Sequence, residues 1–416
     1  MTHIFKIAIR NLFRYKRRTL LTGLLIVFGM VMVIVFSGIS NSFKGMMIGT
    51  ITDSMMGHLQ IHKKGYISSI DNLPLHLNIT GSGVTKLRKI LDDNDAVEAY
   101  TFRIKLGAML SNFEQTTNIR LTAVYPDMER QTCPSLTDRI EGVATEAEHF
   151  VQPGELILPE NLAQGLKLQN GSDVVLVATN KDGSVNAIGL KVAGIVEGLL
   201  GPSGRDGYMH IDDAKVLLRI TDDEINEIAI RLNSLGALNE AHERLDLELQ
   251  QFNDSKGKPA FELHTWAALS PFSSIATIVD ILIITVKIVL IAIVLISILN
   301  VMMMSVYERV SEIGTISAIG TLPSKILALF LAEGFSLGLI SAIIGNVLGV
   351  TVLYVLNILQ LHVSFGRMKD ILLETSIAPA ELLTITVIVL LITLISSFQP
   401  AYRASKMQPV RALRHV

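Results

Sequence analysis

The stretch "ERVSEIGTISAIG", residues 308–320, lies between two of the most hydrophobic runs of the chain. "ILIITVKIVLIAIVLISILNVMMMSV" precedes it and "ILALFLAEGFSLGLISAIIGNVLGV" follows it. It carries Glu308, Arg309 and Glu312, with Ile313, Ile316 and Ile319 recurring at threes. That pattern reads as a short amphipathic helix joining two membrane spans, with Pro323 in the first turn of the second. Like charges one turn apart slightly disfavour an isolated helix, so Glu308 and Glu312 suit a basic partner surface. The alternative is an interfacial turn on lipid headgroups, which would favour Lys and Arg over paired Glu.

Working outward, half of the 416 residues are hydrophobic and 18% are charged, which excludes a disordered chain and argues against a purely soluble one. Spanning a bilayer takes about 20 apolar residues in a helix. Residues 20–39, 275–306, 326–356 and 382–398 meet or approach that length. The first follows a basic segment, as a signal peptide would, but it is longer than a usual signal core and lacks a small-x-small cleavage site. Lys6, Arg10, Arg14, Lys16, Arg17 and Arg18 crowd one terminus and Arg403, Lys406, Arg411 and Arg414 the other, without acids. Basic flanks favour the cytoplasm, which predicts that both termini lie there and that the number of spans is even.

The expected fold is therefore an α-helical membrane protein with four transmembrane helices plus a large α+β extracytoplasmic domain between helices 1 and 2. Residues 1–19 form a cytoplasmic amphipathic helix, 20–40 the first span, and 41–270 the external domain, with a β-rich insert at about residues 150–200. Residues 271–307 form the second span, 308–322 the short helix, and 323–357 the third span. Residues 358–380 form an outer loop, 381–400 the fourth span and 401–416 a basic tail. Within the external domain, "GHLQIH" alternates as a strand, while "NGSD" and "NKDG" mark hairpin turns in the insert.

Candidate chemistry is sparse. No phosphate-binding loop of the G-x-x-x-x-G-K-[ST] type is present, and "GSGVTK" and "GTLPSK" have the wrong spacing. His58 and His62 fall two pleats apart on a strand with no third ligand, so no metal site is expected. Cys133 is the single cysteine, which rules out an intramolecular disulfide. The net charge of −2 gives no reason to expect nucleic acid. Lys287 and Asp280 in span 2 are ionisable groups read either as a substrate or ion contact or as structural, with Asp280 at the outer interface and Lys287 snorkelling outward or pairing across a helix interface. Met46, Met47, Met55 and Met56 are either an adaptable lipid or substrate surface or ordinary packing. Pro202, Arg205 and Asp206 sit in "GLLGPSGRDGY", a partner-binding hairpin or a plain surface loop. Gly334, Gly338, Ala342, Gly345 and Gly349 permit close helix approach, within the chain or between chains.

Three blocks resemble the permease family of MacB, FtsX and the lipoprotein-release proteins LolC and LolE. They are "IAIRNLFRYKRRTLLTGLLIVFGM", "NVMMMSVYERVSEIGTISAIGTLPSKILALFLAEGFSLGLISAIIGNVLG" and "PAYRASKMQPVRALR". The resemblance implies a bacterial inner-membrane ABC transporter subunit that converts cytoplasmic ATP hydrolysis into movement of periplasmic domains. Glu308, Arg309, Glu312, Ile313, Gly314 and Ile316 would match the coupling helix that docks on the ATPase. The chain would hold no cofactor and no catalytic residue; ATP and Mg would be bound by a separate ATPase. A second permease chain, identical or homologous, is implied. So are a periplasmic carrier or lipoprotein substrate and the surrounding membrane lipids. The nearest branch is lipoprotein release. FtsX-like regulation of a cell-wall hydrolase and MacB-like export through an outer-membrane duct are the alternatives.

Overall fold

The computed structural model describes residues 2–141, 150–196, 205–253, 257–269, 272–360, 362–365, 368–372 and 375–408. Helix α1, Thr2–Arg14, buries Ala8 and Leu12 while Phe5, Ile7, Ile9 and Phe13 stay exposed. That distribution suits a helix lying in an interface with apolar side chains on two faces. The chain breaks at Tyr15, and α2 runs from Lys16 to Ile51. At 1.5 Å per residue α2 is about 54 Å long, well beyond a hydrocarbon core of about 30 Å. The helix passes the expected end of the first span at residue 40 and winds down in a π-helical turn, Thr52–Met56. Gly57 ends it at φ 66°, where an added Cβ would lie 2.8 Å from the Ile230 carbonyl oxygen. Only glycine fits both the backbone angle and that approach.

The chain divides into two units, residues 1–46 with 276–416 and residues 47–275. In the second, ten strands form one sheet. They are β1 Leu59–Lys63, β2 Val97–Ser111, β3 Thr116–Val124, β4 Ile140–Glu141 and β5 Glu155–Pro159, then β6 Asp173–Thr179, β7 Val185–Val196, β8 Asp206–His210, β9 Glu227–Leu232 and β10 Phe261–Thr265. The order is β10-β1-β9-β2-β3-β8-β5-β7-β4, and β6 pairs with both β2 and β7. Strands β2, β3, β8, β5, β7 and β6 thus form a closed circuit of pairing. Closure leaves no free edge within the circuit, the usual liability of a sheet. The segment read from sequence as a β-rich insert is part of this circuit. The 15-residue β2 explains why: it pairs with β9 at its start and with β3 and β6 towards its end. Helices α3 Gly81–Asp92, α4 Pro126–Thr132, α5 Glu160–Gly165, α6 Ile211–Leu218, α7 Leu238–Leu249 and α8 Trp266–Leu269 complete the unit. Val84, Leu87 and Leu91 of α3 and Ala241, Leu245 and Leu249 of α7 enter the core shared with the strands.

The first unit resumes with α9 Phe272–Glu308, α10 Val310–Ala318, α11 Pro323–Ile358 and α12 Pro379–Ser405. With α2, three of these are long and apolar enough to cross a membrane: α9, α11 and α12. A hairpin, β11 His362–Phe365 and β12 Met368–Leu372, occupies the segment expected to be a loop. The small residues of α11 pack inside the chain. An added Cβ at Gly334 would reach Ser397 Oγ of α12, and one at Gly338 would lie 2.8 Å from Thr393. Cβ atoms at Gly345 and Gly349 would lie 3.0 Å from Met30 and 2.9 Å from Ile34 of α2. Those glycines let α11 approach both neighbours closely, and the core of Ile26, Met30, Ile34, Ile298, Ala342 and Val389 forms around them.

Candidate functional site

Helix α9 ends at Glu308, and the backbone turns at Arg309 (φ −109°, ψ 17°) before α10 begins. Gly320 closes α10 at φ 91°, and the Gly320 and Thr321 N–H groups donate to Ser317 and Ile316 carbonyls. This is the left-handed glycine stop expected after a helix. Ile313 of α10 joins Val306, Ile326, Phe330, Ala401 and Ala404 in a small core drawn from four helices. The short helix is therefore seated on the ends of the spans.

The seat is held by a polar clasp. Arg309 is 5% exposed, and its Nη1 donates to both oxygens of Glu333 at 3.0 and 2.9 Å. Its Nε donates to Glu312 Oε2 at 3.1 Å. The guanidinium lies 5.2 Å from the Tyr15 ring centre and 5.3 Å from that of Phe330. Glu333, 2% exposed, also accepts from Asn11 Nδ2 at 2.6 Å, and Glu312 accepts from the Tyr15 hydroxyl. Residues of α1, the Tyr15 break, α10 and α11 thus meet around Arg309 and its partner Glu333. Burial opposes the charge on Arg309, but Glu333 and Glu312 outweigh it and hold the group cationic. Burial pushes the Glu312 carboxyl up, but hydrogen bonds from Tyr15 and Arg309 outweigh it and leave the pKa below its ordinary value. The hydrogen bond to Glu312 raises the Tyr15 hydroxyl.

This geometry redistributes the residues expected to meet a partner. Glu308 is exposed, but Arg309, Ile313 and Gly314 are buried. Glu312 and Ile316 are half-buried. The exposed face of α10 and its stop is instead Ser311, Thr315, Ala318 and Ile319, the last 80% exposed, with Leu322 beyond. Sequence reasoning did not place Tyr15, Asn11 or Glu333 in this site. The available signal was Glu333 as the lone acid of an apolar run, since an intramembrane carboxylate needs a partner.

The remaining candidates lie elsewhere. Lys287 donates to Glu381 at 2.9 Å, and Glu381 also accepts from Asn41 at 2.6 Å. Asp280 accepts from Lys44 at 2.7 Å. Asp280 and Lys287 of α9 therefore pair with other helices of the first unit. Met46, Met47, Met55 and Met56 are half-buried, and Met55 packs against the cluster of Val124, Cys133 and Leu136. Pro202 lies outside the described residues. The Arg205 carbonyl accepts from the Arg120 N–H at 3.0 Å, and Asp206 opens β8, so these two belong to the sheet.

The second unit carries its own buried charges. Arg103 pairs with Glu129 and with Glu227, the latter at 2.8 Å, and Lys105 reaches Glu227 at 2.6 Å. His62 Nε2 lies 3.3 Å from Glu227, and its ring stacks 5.2 Å from Tyr66. Burial pushes His62 down. Burial pushes Glu227 up, but Lys105, His62 and Arg103 reverse that and hold it well below the carboxylate range. The Nδ1 of His58 accepts from the Leu232 N–H at 2.9 Å. Among the described residues no group of His, Cys, Asp and Glu is arranged to hold a metal.

Comparison with known proteins gives two family matches. Residues 19–247 match the MacB-like periplasmic core domain, and residues 283–409 match the FtsX-like permease C-terminal domain. The lipoprotein-releasing system transmembrane protein LolC of Neisseria meningitidis is 22% identical over 411 residues, 94% of this chain and 92% of that protein. LolC of Haemophilus influenzae is 25% identical over 280 residues, 65% of this chain and 67% of that protein. The ABC transporter permease YtrF of Bacillus subtilis is 35% identical, but over 118 residues only, 27% of each chain.

Proposed function

Since this chain belongs to the ABC transporter permease family that includes MacB, FtsX and LolC, we propose that it acts in releasing lipoproteins from the inner membrane. The observation that carries this reading is the likeness to a LolC over 94% of the chain, spans and inserted domain together. Both basic termini face the cytoplasm in this reading, and so does α10, while residues 47–275 and the β11–β12 hairpin lie in the periplasm. Separate ATPase subunits bind ATP and Mg, and a second permease chain completes the complex. ATPase closure pushes on the exposed face of α10. The Arg309 clasp makes α1 and α11 move with α10 instead of letting it swing on its two links. The periplasmic domains then expel the acylated substrate to a carrier.

The test is reconstitution of the chain, with the ATPase that co-purifies with it, into proteoliposomes carrying an acylated lipoprotein. ATP-dependent transfer of lipoprotein into a periplasmic extract is expected. Co-purification of a cell-wall hydrolase or an outer-membrane duct, with no ATP-dependent transfer, would replace the reading with regulation or export.

A further inference from the structure

A cleft of about 760 Å³ opens in the first unit between the α1–α2 break and the end of α9. Its walls are two antiparallel helix ends, and their residues sort by depth. On α2, Lys16 and Arg17 stand one turn before Leu21; on α9, Met304 stands one turn before Glu308. A helical turn is about 5.4 Å, and residues four apart share a face. Because α2 starts where α9 ends, the layers coincide. Arg14, Lys16, Arg17 and Glu308 form a charged rim, while Leu21, Val301 and Met304 form a mainly apolar floor with the polar Asn300 beside them. Leu21 is 62% and Met304 59% exposed.

We propose that this cleft binds one anionic phospholipid, its phosphate between Lys16 and Arg17 and its acyl chain along Leu21, Val301 and Met304. Charge complementarity carries the assignment. Three cations face one carboxylate, and Arg14 is already drawn to Glu312 at 3.7 Å and to the Tyr15 ring. Lys16 and Arg17 pair with no carboxylate among the described residues. Free phosphate would leave the apolar floor in water, and an uncharged lipid would leave the two cations unmatched. The site adjoins the clasp, since Tyr15 lines the cleft and bonds Glu312. A seated lipid would thus bear on the turn between α1 and α2. The inference requires only that the spans lie in a bilayer and holds whichever membrane face the rim occupies.

The experiment is native mass spectrometry of the full chain after delipidation, titrated with phosphatidylglycerol or cardiolipin and, separately, with phosphatidylcholine. One saturable anionic-lipid adduct is expected, and Lys16→Gln with Arg17→Gln should weaken it about thirtyfold. Lys6→Gln with Arg10→Gln removes the same charge from the exposed side of α1 and should leave it unchanged. Met304→Trp, which fills the floor, should also weaken it. Equal loss in both charge variants would mean general attraction to a basic surface and overturn the site. So would competition by inorganic phosphate alone, or a disulfide between two copies through Leu21→Cys, which would show a second chain covering the cleft.

Discussion

Replacing Arg309 with Met removes the centre of the clasp while keeping most of its length. Glu333 is then left 2% exposed with only Asn11 to bond it, and Glu312 keeps Tyr15. Breaking a buried pair from one side costs about 3–5 kcal/mol, because the stranded charge, not the lost bond, dominates. The lower end applies here, about 3 kcal/mol, since the Asn11 amide still solvates the carboxylate. Arg309→Met combined with Glu333→Leu removes both charges, and apolar replacements of a buried pair are near neutral, so the double variant should fall within about 1 kcal/mol of the parent. The implied coupling of about 2 kcal/mol or more separates this clasp from an ordinary interhelical hydrogen bond in a membrane, which averages about 0.6 kcal/mol. The assay is unfolding by sodium dodecyl sulfate in bicelles, followed by far-ultraviolet circular dichroism for parent, singles and double. A single variant costing under about 1 kcal/mol, or a double costing the sum of the singles, would refute the reasoning.

Gly334→Val should cost about 1–3 kcal/mol in the same assay, because its Cβ would collide with Ser397 of α12. Gly45→Ala, with nothing within 4 Å, should stabilise α2 slightly. Ile319→Asp on the exposed stop of α10 should leave stability within about 0.5 kcal/mol and reduce ATP-driven transfer; unchanged transfer would remove that face from the docking surface. In the second unit, burial depresses His62, so the unfolded chain takes up a proton that the folded chain resists. Stability should therefore fall as pH drops below about 6.5, by up to about 1.4 kcal/mol per pH unit for that proton. Glu227, held low, contributes stability above its unfolded pKa of about 4.3, which is lost only below that value, so it leaves the window between pH 5 and 7 to histidine. Burial pushes His58 down as well, so His62→Gln should reduce, and not abolish, the dependence of the melting midpoint across that window, read by the fluorescence of buried Trp266 in the full chain.

The features legible in the sequence were those set by local rules. Apolar length marked the four spans, and Pro323 does open α11. The small residues of α11 were visible as one stripe, but which helix they meet was not. Gly334 and Gly338 face α12 whereas Gly345 and Gly349 face α2, because neighbouring helices change places along a stripe as depth changes. The closed strand circuit was hidden for a similar reason. The β6–β2 pairing joins residues 109–111 to 175–177, and a period of two says which face a strand buries, not which edge it joins.

The site followed the same division. Amphipathic spacing placed Glu308, Arg309 and Glu312 on the outside of a short helix, as it would for any helix in water. What reverses this is Glu333, 24 residues on. An acid fixed within an apolar span draws the nearest cation inward, since its alternative is to stand unpaired in hydrocarbon. Arg309 is the residue that can reach it, and its fork has donors left for Glu312. The consequence for docking is a change of chemistry. With Arg309 buried and Glu312 bonded inside the chain, the surface left on α10 offers hydroxyls, Ile319 and Leu322, beside the single free carboxylate of Glu308. A partner matched to that surface needs an apolar notch more than a basic patch. Its binding should therefore be nearly insensitive to salt, whereas docking through paired glutamates would weaken as salt rises.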